Sequence, residues 1–287
     1  MSQLGFAFHL LVQSHKEGSF NTRASRKKVL NLVASQLLEN GFKLKAPQGM
    51  KPKHIDYLVS RWQEEKLSAS TIKNRVAVLR WTADKIGKKN IVARTNDEYN
   101  IERRQHKPEG KAKELDTVKL ALVRDPYVQL SLRLQREFGL RREESIKFQP
   151  SYAIREGYIQ IKASWTKGGR ARIIPITRES QRQLLKQAQE MVKGGSLIPA
   201  EKNYVQQLKL YERETARAGL TQNHGLRHQY ARERYQELTG WPCPANGGPR
   251  RNQLTAEQLE TDIAARLTVS TDLGHIRFNI TYAYLGS

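Results

Sequence analysis

Apolar residues recur at helical spacing through the first third of the chain. Side chains three or four positions apart share one face of a helix, so such a stripe predicts an amphipathic helix packed on a core. Gly41 and Gly87 lie where two of these helices would end, and Ser70 or Thr71 could cap the last one. Residues 1–95 are therefore predicted to form a helical domain of three or four helices, with the stripes Val29, Val33 and Leu37; Ile55, Leu58, Val59 and Trp62; and Ile72, Val76, Leu79, Ala83 and Ile86.

The pattern changes after this domain. Residues 96–112 are polar, lack apolar periodicity and contain Pro108 and Gly110, which is typical of a linker. Beyond it, residues 158–165 alternate, and a glycine-containing turn separates them from a second β-rich run, which predicts a hairpin. The predicted fold class is mainly α with a small antiparallel β-sheet, in two domains, with a second strand at 171–176, helices at 118–138, 179–192, 202–218 and 224–237, and a loop at 240–252.

The net charge of +22, from 50 Lys+Arg against 28 Asp+Glu, points to a polyanionic partner. Residues 1–110 carry +11 of this excess. Because the charge is spread along the chain rather than gathered on one amphipathic helix, nucleic acid is favoured over a membrane surface. The hydrophobic content of 38% is enough for packed cores and argues against a disordered basic tail.

Cysteine usage and the apolar segments favour an intracellular protein. Cys243 is the only cysteine, which excludes an intramolecular disulfide framework and a cysteine-based zinc cluster. The apolar stretch at residues 4–12 is far too short to span a bilayer. We expect a cytoplasmic, nucleoid-associated protein.

Four short patterns in the second half carry candidate chemistry. Each of them alone arises often by chance, but their order and spacing together are specific. They are GLRREE at residues 139–144, Lys167 at the tip of the predicted hairpin, HGLRH at residues 224–228, and LGH at residues 273–275 followed by Tyr284 nine positions after the histidine.

These residue types suit attack on a phosphodiester. A tyrosine hydroxyl can attack phosphorus and hold a DNA end covalently, although a free phenol, with a pKa of about 10, needs help at neutral pH. Two arginines can offer planar forks of N–H donors to the non-bridging oxygens. A lysine can protonate the departing sugar oxygen, and a histidine can take the tyrosine proton or orient the phosphate. None of these steps needs a metal or a cofactor, so no metal and no cofactor are predicted.

In order and spacing, the four patterns resemble those of the tyrosine recombinases, the phage integrase family. The resemblance covers residues 113–287, and the basic helical region before them resembles the family's DNA core-binding domain more loosely. It implies a C-clamp around duplex DNA, cleavage through a covalent 3′-phosphotyrosine, and strand exchange by a homotetramer through a Holliday junction at specific sites. Whether accessory DNA-bending proteins take part is left open. It also implies a supporting acid, Glu144, and a catalytic set of Arg141, Lys167 as general acid, His224, Arg227, His275 and Tyr284 as nucleophile.

Each candidate also has a plainer interpretation. Arg141 can be a solvated charge at a helix start, Lys167 a surface lysine in a turn, and His275 a capping or core histidine. His224 and His228, at i and i+4, could hold zinc, but no third ligand is evident nearby. His228 is left out of the catalytic set because packing explains it equally well.

The end of the chain offers two tyrosines. Tyr282 would lie on a different face of a helix from Tyr284, and the nine-residue spacing from His275 favours Tyr284 as the nucleophile. Three residues follow Tyr284, whereas many members of the family continue into a helix that docks on the neighbouring subunit. The resemblance therefore leaves open how subunits would be coupled.

Basic helices within residues 51–66 and 71–89 are candidates to enter the major groove, with Lys73, Arg75 and Arg80 as candidate DNA contacts. Three functions fit the sequence. The leading one is a site-specific recombinase of a mobile element. A type IB topoisomerase-like enzyme would share the chemistry but act on one strand without synapsis, and a non-enzymatic DNA-binding protein with the same fold would not need Tyr284. The full set of residue types favours an enzyme.

Overall fold

The computed structural model describes residues 2–102, 110–275 and 277–287. Within these residues the chain forms two compact units, Met1–Gln105 and His106–Ser287. Both are mostly helical, and the second also contains a small three-stranded antiparallel sheet. The predicted fold class is confirmed.

The first unit is built from four amphipathic helices. The three predicted stripes face its core, where Leu37, Trp62 and Val76 have no exposed surface. The short apolar stretch near the start forms the first helix and buries Leu4, Phe8 and Val12 on one side, because these residues are spaced by four. The helices are α1 (Gln3–Ser14), α2 (Phe20–Glu39), α3 (Pro52–Glu64) and α4 (Ala69–Lys85), with single 3₁₀ turns at Pro47–Gly49, Lys89–Ile91 and Asp97–Tyr99.

The predicted cap of α4 is wrong by two or three positions. The helix starts at Ala69, and the Oγ of Ser68 accepts a hydrogen bond from the backbone N–H of Thr71 at 3.2 Å. Ser70 and Thr71 therefore lie inside the first turn, where the cap's acceptor satisfies a free amide. The predicted ends of α2 and α4 agree with the structure, since each helix ends two residues before its glycine.

Part of the predicted linker belongs to the first unit. The side chain of Ile101 is buried in its core, and the carbonyl oxygen of Tyr99 accepts a hydrogen bond from Gln63 at 2.8 Å. These contacts hold residues 96–102 on the helices. Residues 103–109 of the predicted linker lie outside the described residues.

The second unit departs from the predicted helices at several places, and the short helices Arg142–Ile146 and Pro150–Ala153 are among the additions. The single helix predicted over 118–138 is two helices. Pro126 lacks a backbone N–H and begins the second helix, and the Oδ1 of Asp125 caps it by accepting a hydrogen bond from the backbone N–H of Val128 at 2.9 Å. A helix over Ala256–Asp272, absent from the prediction, follows Thr255. The helices are α5 (Thr117–Leu122), α6 (Pro126–Phe138), α7 (Arg142–Ile146), α8 (Pro150–Ala153), α9 (Glu179–Val192), α10 (Tyr204–Arg217), α11 (His224–Thr239), α12 (Ala256–Asp272) and α13 (Tyr282–Leu285).

The sheet contains the predicted hairpin and one further strand. The strands are β1 (Ile154–Arg155), β2 (Tyr158–Ile161) and β3 (Arg172–Pro175), in the order β1-β2-β3. Ile159 pairs with Ile174, and both side chains are fully buried. The strand β2 ends earlier than predicted, since Ala163–Trp165 forms a 3₁₀ turn. Lys167 follows on the exposed turn that leads to β3.

The main core of the second unit lies between the sheet and the helices α6, α9, α11 and α12. Helix α11 packs against α6, α12 and α13, so the elements that carry three of the four sequence patterns meet around it. The predicted loop at 240–252 contains two 3₁₀ turns, Pro244–Asn246 and Arg251–Gln253. Among the described residues, no helix is both long and apolar enough to cross a membrane.

Candidate active site

Arg227 lies at the centre of the candidate site. Its side chain leaves α11 in the first turn and is 1% exposed. Two of its N–H groups donate to the backbone carbonyl oxygens of Gly139 and Leu273. Its Nε lies 3.4 Å from the hydroxyl of Tyr284, and its Nη2 lies 3.5 Å from Nε2 of His275. One guanidinium thus joins the loops that follow α6 and α12 to the end of the chain.

Gly139 makes this arrangement sterically possible. It ends α6 in the left-handed conformation, with φ of +60°, which glycine adopts without the penalty that a side chain incurs. A Cβ atom here would lie 2.4 Å from the ring of Tyr230. The glycine of the first pattern therefore lets the chain turn closely over α11 and aim its carbonyl at Arg227.

Arg141 and Glu144 form a local pair at the start of α7. The carboxylate of Glu144 accepts two hydrogen bonds from Arg141, one from the backbone N–H and one from Nη1, both at 2.8 Å. This is the reach of a capping side chain, three residues on from the residue that it caps. The guanidinium of Arg141 stays partly exposed, so it can meet a ligand while Glu144 holds it.

Glu144 is fully buried and also pairs with a residue outside the four patterns. Arg172 on β3 donates from Nη1 and Nη2 to the two carboxylate oxygens, at 3.0 and 2.7 Å. Burial alone would raise the pKa of Glu144, but the hydrogen bonds and charge of Arg172, together with the charges of Arg227 and Arg141, lower its pKa to about 2. Glu144 is therefore ionised at neutral pH.

The side chain of Tyr284 is buried among three histidines. Its hydroxyl lies 3.3 Å from Nε2 of His275, and its ring stacks on His228 with the centroids 4.4 Å apart. The ring of His224 lies 6.3 Å away, centroid to centroid. Only 6% of Tyr284 is exposed. The structure thus brings together Tyr284, His275 and Arg227.

All three histidines are held in the neutral form. Burial, followed by nearby arginine charges, lowers the pKa of His275 to about 3, and burial next to His224 lowers the pKa of His228 to about 3. The pKa of His224 is also lowered, by desolvation and then by the charges of Arg227 and Arg141. Because an arginine N–H can only donate, the contact from Arg227 favours the His275 tautomer with its lone pair on Nε2. A neutral Nε2 can accept the proton of Tyr284.

The segment that carries Tyr284 is anchored from both sides. Arg232 donates from Nε to the carbonyl oxygen of Tyr284 at 3.2 Å, and the buried Arg266 donates to the carbonyl oxygen of Gly286 at 2.9 Å. Leu285 between them has no exposed surface. These contacts hold α13 in the unit that supplies the other side chains of the site.

Tyr282 lies apart from this cluster. Its hydroxyl accepts a hydrogen bond from Arg251 at 3.2 Å, and its ring packs on Arg266 and Phe278. The two tyrosines thus have different surroundings, as the helical offset between them indicates.

Lys167 and His224 are more exposed than the rest of the predicted set. In the part of the chain that the structure describes, the side chain of Lys167 makes no hydrogen bond or ion pair. Arg142 pairs with Glu212 at 2.9 Å. Among the described residues, no group of three or more potential metal ligands occurs, whether around His224 and His228 or elsewhere.

The three basic residues predicted to touch DNA have different surroundings in the first unit. Arg80 donates to the carbonyl oxygens of Ala93 and Thr95 and to Asn96, at 2.8 to 2.9 Å. The guanidinium of Arg75 lies over the ring of Trp62, 5.1 Å from its centroid. Lys73 is half-buried on the same helix. Arg80 is thus already used to hold the segment that follows α4.

Sequence reasoning missed Arg172, Arg232 and Arg266. Each is buried, and each donates to a carboxylate or a backbone carbonyl of the site or of the chain end. An arginine in a basic sequence is expected at the surface, so composition hides such residues. The alternation of β3 offers one signal, since Arg172 shares a strand face with the buried Ile174 while Ile173 is exposed.

Two integrase family models match the chain. The model described as "Phage integrase, N-terminal" matches residues 1–92, and the model described as "Integrase" matches residues 103–233. Together they cover more than three quarters of the sequence. A comparison with curated proteins finds no match.

Solved structures of integrases and recombinases share the fold. A lambda integrase dimer bound to a COC′ core site has a TM-score of 0.63 and 15% identity, over 96% of this chain and 76% of that one. The Tn1549 transposon integrase in complex with circular intermediate DNA has a TM-score of 0.58 and 14% identity, over 100% and 96%. The XerH site-specific recombinase bound to palindromic difH has a TM-score of 0.55 and 20% identity, over 92% and 75%.

Proposed function

The chain belongs to the phage integrase family of tyrosine recombinases, and on that premise we propose that it is a site-specific DNA recombinase whose nucleophile is Tyr284. One observation carries the assignment of the nucleophile. The Tyr284 hydroxyl lies 3.4 Å from Nε of Arg227 and 3.3 Å from Nε2 of His275. A donor on one side and a neutral acceptor on the other are what a phenol needs to lose its proton while it attacks.

In the proposed first step, the Tyr284 oxygen forms a bond to phosphorus, and the bond from phosphorus to the 5′-oxygen breaks. The phenol proton passes to Nε2 of His275. The products are a 3′-phosphotyrosine and a strand that ends in a free 5′-hydroxyl. Attack by a 5′-hydroxyl of another strand reverses the step, so the phosphodiester bond energy is kept and no metal or cofactor is required.

Arg227 and Arg141 would stabilise the negative charge that builds on the non-bridging oxygens. Arg227 suits this role because, among the described residues, it has no carboxylate partner within ion-pair distance and is held by two carbonyl oxygens instead. Its full charge is thus available to a phosphate. Arg141 keeps partial exposure, and Glu144 fixes its orientation. His224, exposed next to His228, would bind a phosphate oxygen.

Lys167 would be the general acid that protonates the departing 5′-oxygen. It lies on the exposed turn between β2 and β3, so bound DNA must place the scissile phosphate within its reach. A lysine on a hairpin tip suits this because its ammonium group sits on a long, flexible side chain.

The partner in this proposal is duplex DNA, bound through the positive charge of both units. Lys73 and Arg75 on α4 are the proposed contacts in the first unit, whereas Arg80, the third residue predicted from sequence, is engaged by Ala93, Thr95 and Asn96. Four copies would assemble on two sites and exchange strands through a Holliday junction, aided by accessory DNA-bending proteins. A lambda integrase tetramer bound to a Holliday junction shares the fold of this chain, with a TM-score of 0.57.

The test is formation of a denaturant-resistant protein–DNA adduct on nicked duplexes taken from the DNA that flanks the gene. We expect an adduct with the wild type and with Tyr282→Phe, and none with Tyr284→Phe, because only Tyr284 lies beside Arg227 and His275. DNA affinity should be unchanged in all three proteins. If the adduct is lost only with Tyr282→Phe, the nucleophile is Tyr282 rather than Tyr284.

The same substrates separate recombination from nicking and closing. A recombinase joins strands from two duplexes and yields a four-way junction, whereas a topoisomerase-like enzyme returns each strand to its own partner. Junctions from two labelled duplexes would support the proposal. Adducts that form without four-way junctions would contradict recombination and indicate a nicking and closing activity on one duplex.

A further inference from the structure

Arg172 is a buried arginine that joins three segments of the site. Its side chain is 5% exposed. Nη1 and Nη2 donate to the two oxygens of Glu144, and Nε donates to the carbonyl oxygen of Asp272 at 2.8 Å. The site residues of three segments, Arg141 and Glu144, the hairpin with Lys167, and the loop with His275, are thus connected through one guanidinium.

The packing around Arg172 is as close as its hydrogen bonding. Gly274 adopts the left-handed conformation, with φ of +66°, and a Cβ there would lie 3.0 Å from Cδ of Arg172. The glycine of the LGH pattern thus leaves room for the arginine stem next to His275. Residue 274 turns the chain over Arg172 much as Gly139 turns it over Tyr230.

Three arginines from three different elements place positive charge around Glu144. Arg141 faces it from the start of α7, Arg172 from β3, and Arg227 from α11. His224 on α11 and His275 after α12 also sense its charge, and both are neutral near pH 7. Of the three arginines, Arg172 exerts the largest effect, since it makes the paired, buried contact.

We propose that Arg172 is a positioning residue of the recombinase, which keeps the buried Glu144 charged and oriented so that Arg141 is held ready for the scissile phosphate. Arg172 does not touch the phosphate in this scheme and acts only through Glu144 and the Asp272 carbonyl. The inference rests on the proposed function for its effect on cleavage. The pairing of Arg172 with Glu144 can be tested without any cleavage.

The first experiment is single-turnover cleavage of a nicked duplex as a function of pH, with the wild type, R172M, E144Q and the double variant. We expect R172M to cleave about 10²-fold more slowly at pH 8, as misplacement of a positioned group does. Without Arg172 the pKa of Glu144 is higher than in the wild type, so Glu144 becomes protonated at a less acidic pH. The cleavage rate of R172M should therefore fall further as the pH is lowered. In the E144Q background, the substitution of Arg172 should no longer move this acid limb.

Arg136 provides the matched control. It is a mostly buried arginine of the same unit, paired with Glu233 and Glu114 and making no contact with Glu144. R136M should cleave with the wild-type pH profile. A wild-type rate and profile for R172M would overturn the proposal. So would an acid limb that lies at a higher pH in the double variant than in E144Q alone, since the group that gains the proton would then be His275 rather than Glu144.

The second experiment does not depend on activity. The pKa of Glu144 in the fold is about 2, below its usual value of 4.5, so its ionisation stabilises the fold above that range. Loss of Arg172 raises the pKa of Glu144. The gap in melting temperature between wild type and R172M should therefore be widest at pH 8 and narrow as the pH falls to 4. The gap should be independent of pH when both proteins carry E144Q.

The cleavage and melting experiments distinguish failure of the proposed recombinase function from failure of the Arg172–Glu144 pairing. One outcome is that the wild type forms no DNA adduct while the difference in melting temperature between wild type and R172M still narrows from pH 8 to pH 4. In that case the recombinase assignment fails and the Arg172–Glu144 pairing stands. If the wild type cleaves and the gap is constant, the pairing fails. Should R172M not fold, R172K replaces it: it keeps the charge and loses the fork, so we expect a lower rate at pH 8 with an unshifted acid limb. A wild-type rate for R172K would then overturn the proposal.

Discussion

At the residue scale, the treatment of buried charge decides what the site can do. The negative charge of Glu144 is balanced by hydrogen-bonded arginines on two sides, Arg141 and Arg172. Arg227, in contrast, is buried against carbonyl oxygens. Burial lowers the pKa of Arg227 because nothing fully replaces the water it has lost. A bound phosphate would therefore interact with an arginine that is not already paired with a carboxylate among the described residues.

This contrast predicts the cost of removing Arg227. We expect Arg227→Ala to slow cleavage by about 10²- to 10³-fold, as the loss of one preorganised donor does. Arg227→Lys should be nearly as slow, because an ammonium cannot span the two carbonyl oxygens and the Tyr284 hydroxyl together. Single-turnover cleavage measures both. A rate within a few-fold of wild type for either variant would contradict the role in charge stabilisation.

The histidines predict how stability depends on pH. His275 binds a proton near pH 6.5 in the unfolded chain but only near pH 3 in the fold. Between these values the unfolded state holds more protons, so the free energy of unfolding should fall as the pH is lowered. Denaturant titrations from pH 7 to pH 4 should show this loss in the wild type and a smaller one in His275→Gln. Parallel curves would contradict a neutral, buried His275.

At the element scale, the site depends on where helices end. Three of the four patterns lie at helix boundaries: residues 139–144 between α6 and α7, residues 224–228 at the start of α11, and residues 273–275 after α12. Free carbonyl oxygens at the ends of α6 and α12 are available to bind Arg227. Helix ends thus supply polar groups at the site that a helix interior would have used up.

Gly139→Ala tests this dependence. A side chain in the left-handed region costs about 1–2 kcal/mol, and the overlap with Tyr230 should add about 1–3 kcal/mol as overpacking does. Cleavage should also slow, since the Gly139 carbonyl holds Arg227. Gly157→Ala is the control, because its φ of +76° is similar but a Cβ there meets nothing within 4 Å. Equal losses of stability in the two variants, measured by denaturant unfolding, would refute the contact with Tyr230.

The elements also show where pattern reading works and where it fails. Regular apolar stripes predict α2, α3 and α4 because most residues on their buried faces are apolar, with one buried polar residue in each helix, Gln36, His54 and Thr82. Helix α12 breaks this rule, since its buried face includes Asp262, Arg266 and Asp272. These buried charged residues interrupt the apolar stripe that would have marked the helix, although Thr255 and Gln258 form a capping box at its start.

At the scale of the whole molecule, we expect the charge of +22 to govern the proposed association with DNA. Each phosphate neutralised by a lysine or arginine releases counterions, so log K should fall with log salt by about 0.9 per contact. We expect a steep slope for the wild type and one shallower by about 1 for Lys73→Ala, measured by binding to a duplex at several salt concentrations. An unchanged slope for Lys73→Ala would remove it from the DNA contacts.

Arg80 behaves differently in this prediction. Its guanidinium is already engaged by Ala93, Thr95 and Asn96, so Arg80→Ala should loosen the segment after α4 more than it changes the salt slope. Lys73 and Arg80 thus separate a charge that is available to DNA from one that the fold uses. Sequence alone treats them as equal.

The sequence by itself determined the fold class, the family resemblance and the residue types of the chemistry. Stripes of period 3.6 specify helices locally, and the four patterns are short enough to be read along the chain. It also favoured Tyr284 over Tyr282, and the structure places Tyr284 next to Arg227 and His275. These properties depend on neighbours in sequence, which is why they can be read without a structure.

Only the tertiary structure decided which charges are buried and what they meet. Arg172 reaches Glu144 across 28 positions, and Arg227 reaches His275 across 48. A buried arginine and a solvated one look alike in sequence, because their energies differ through desolvation and pairing, which arise from distant segments. The protonation states of Glu144 and His275 are therefore properties of the fold rather than of the motif.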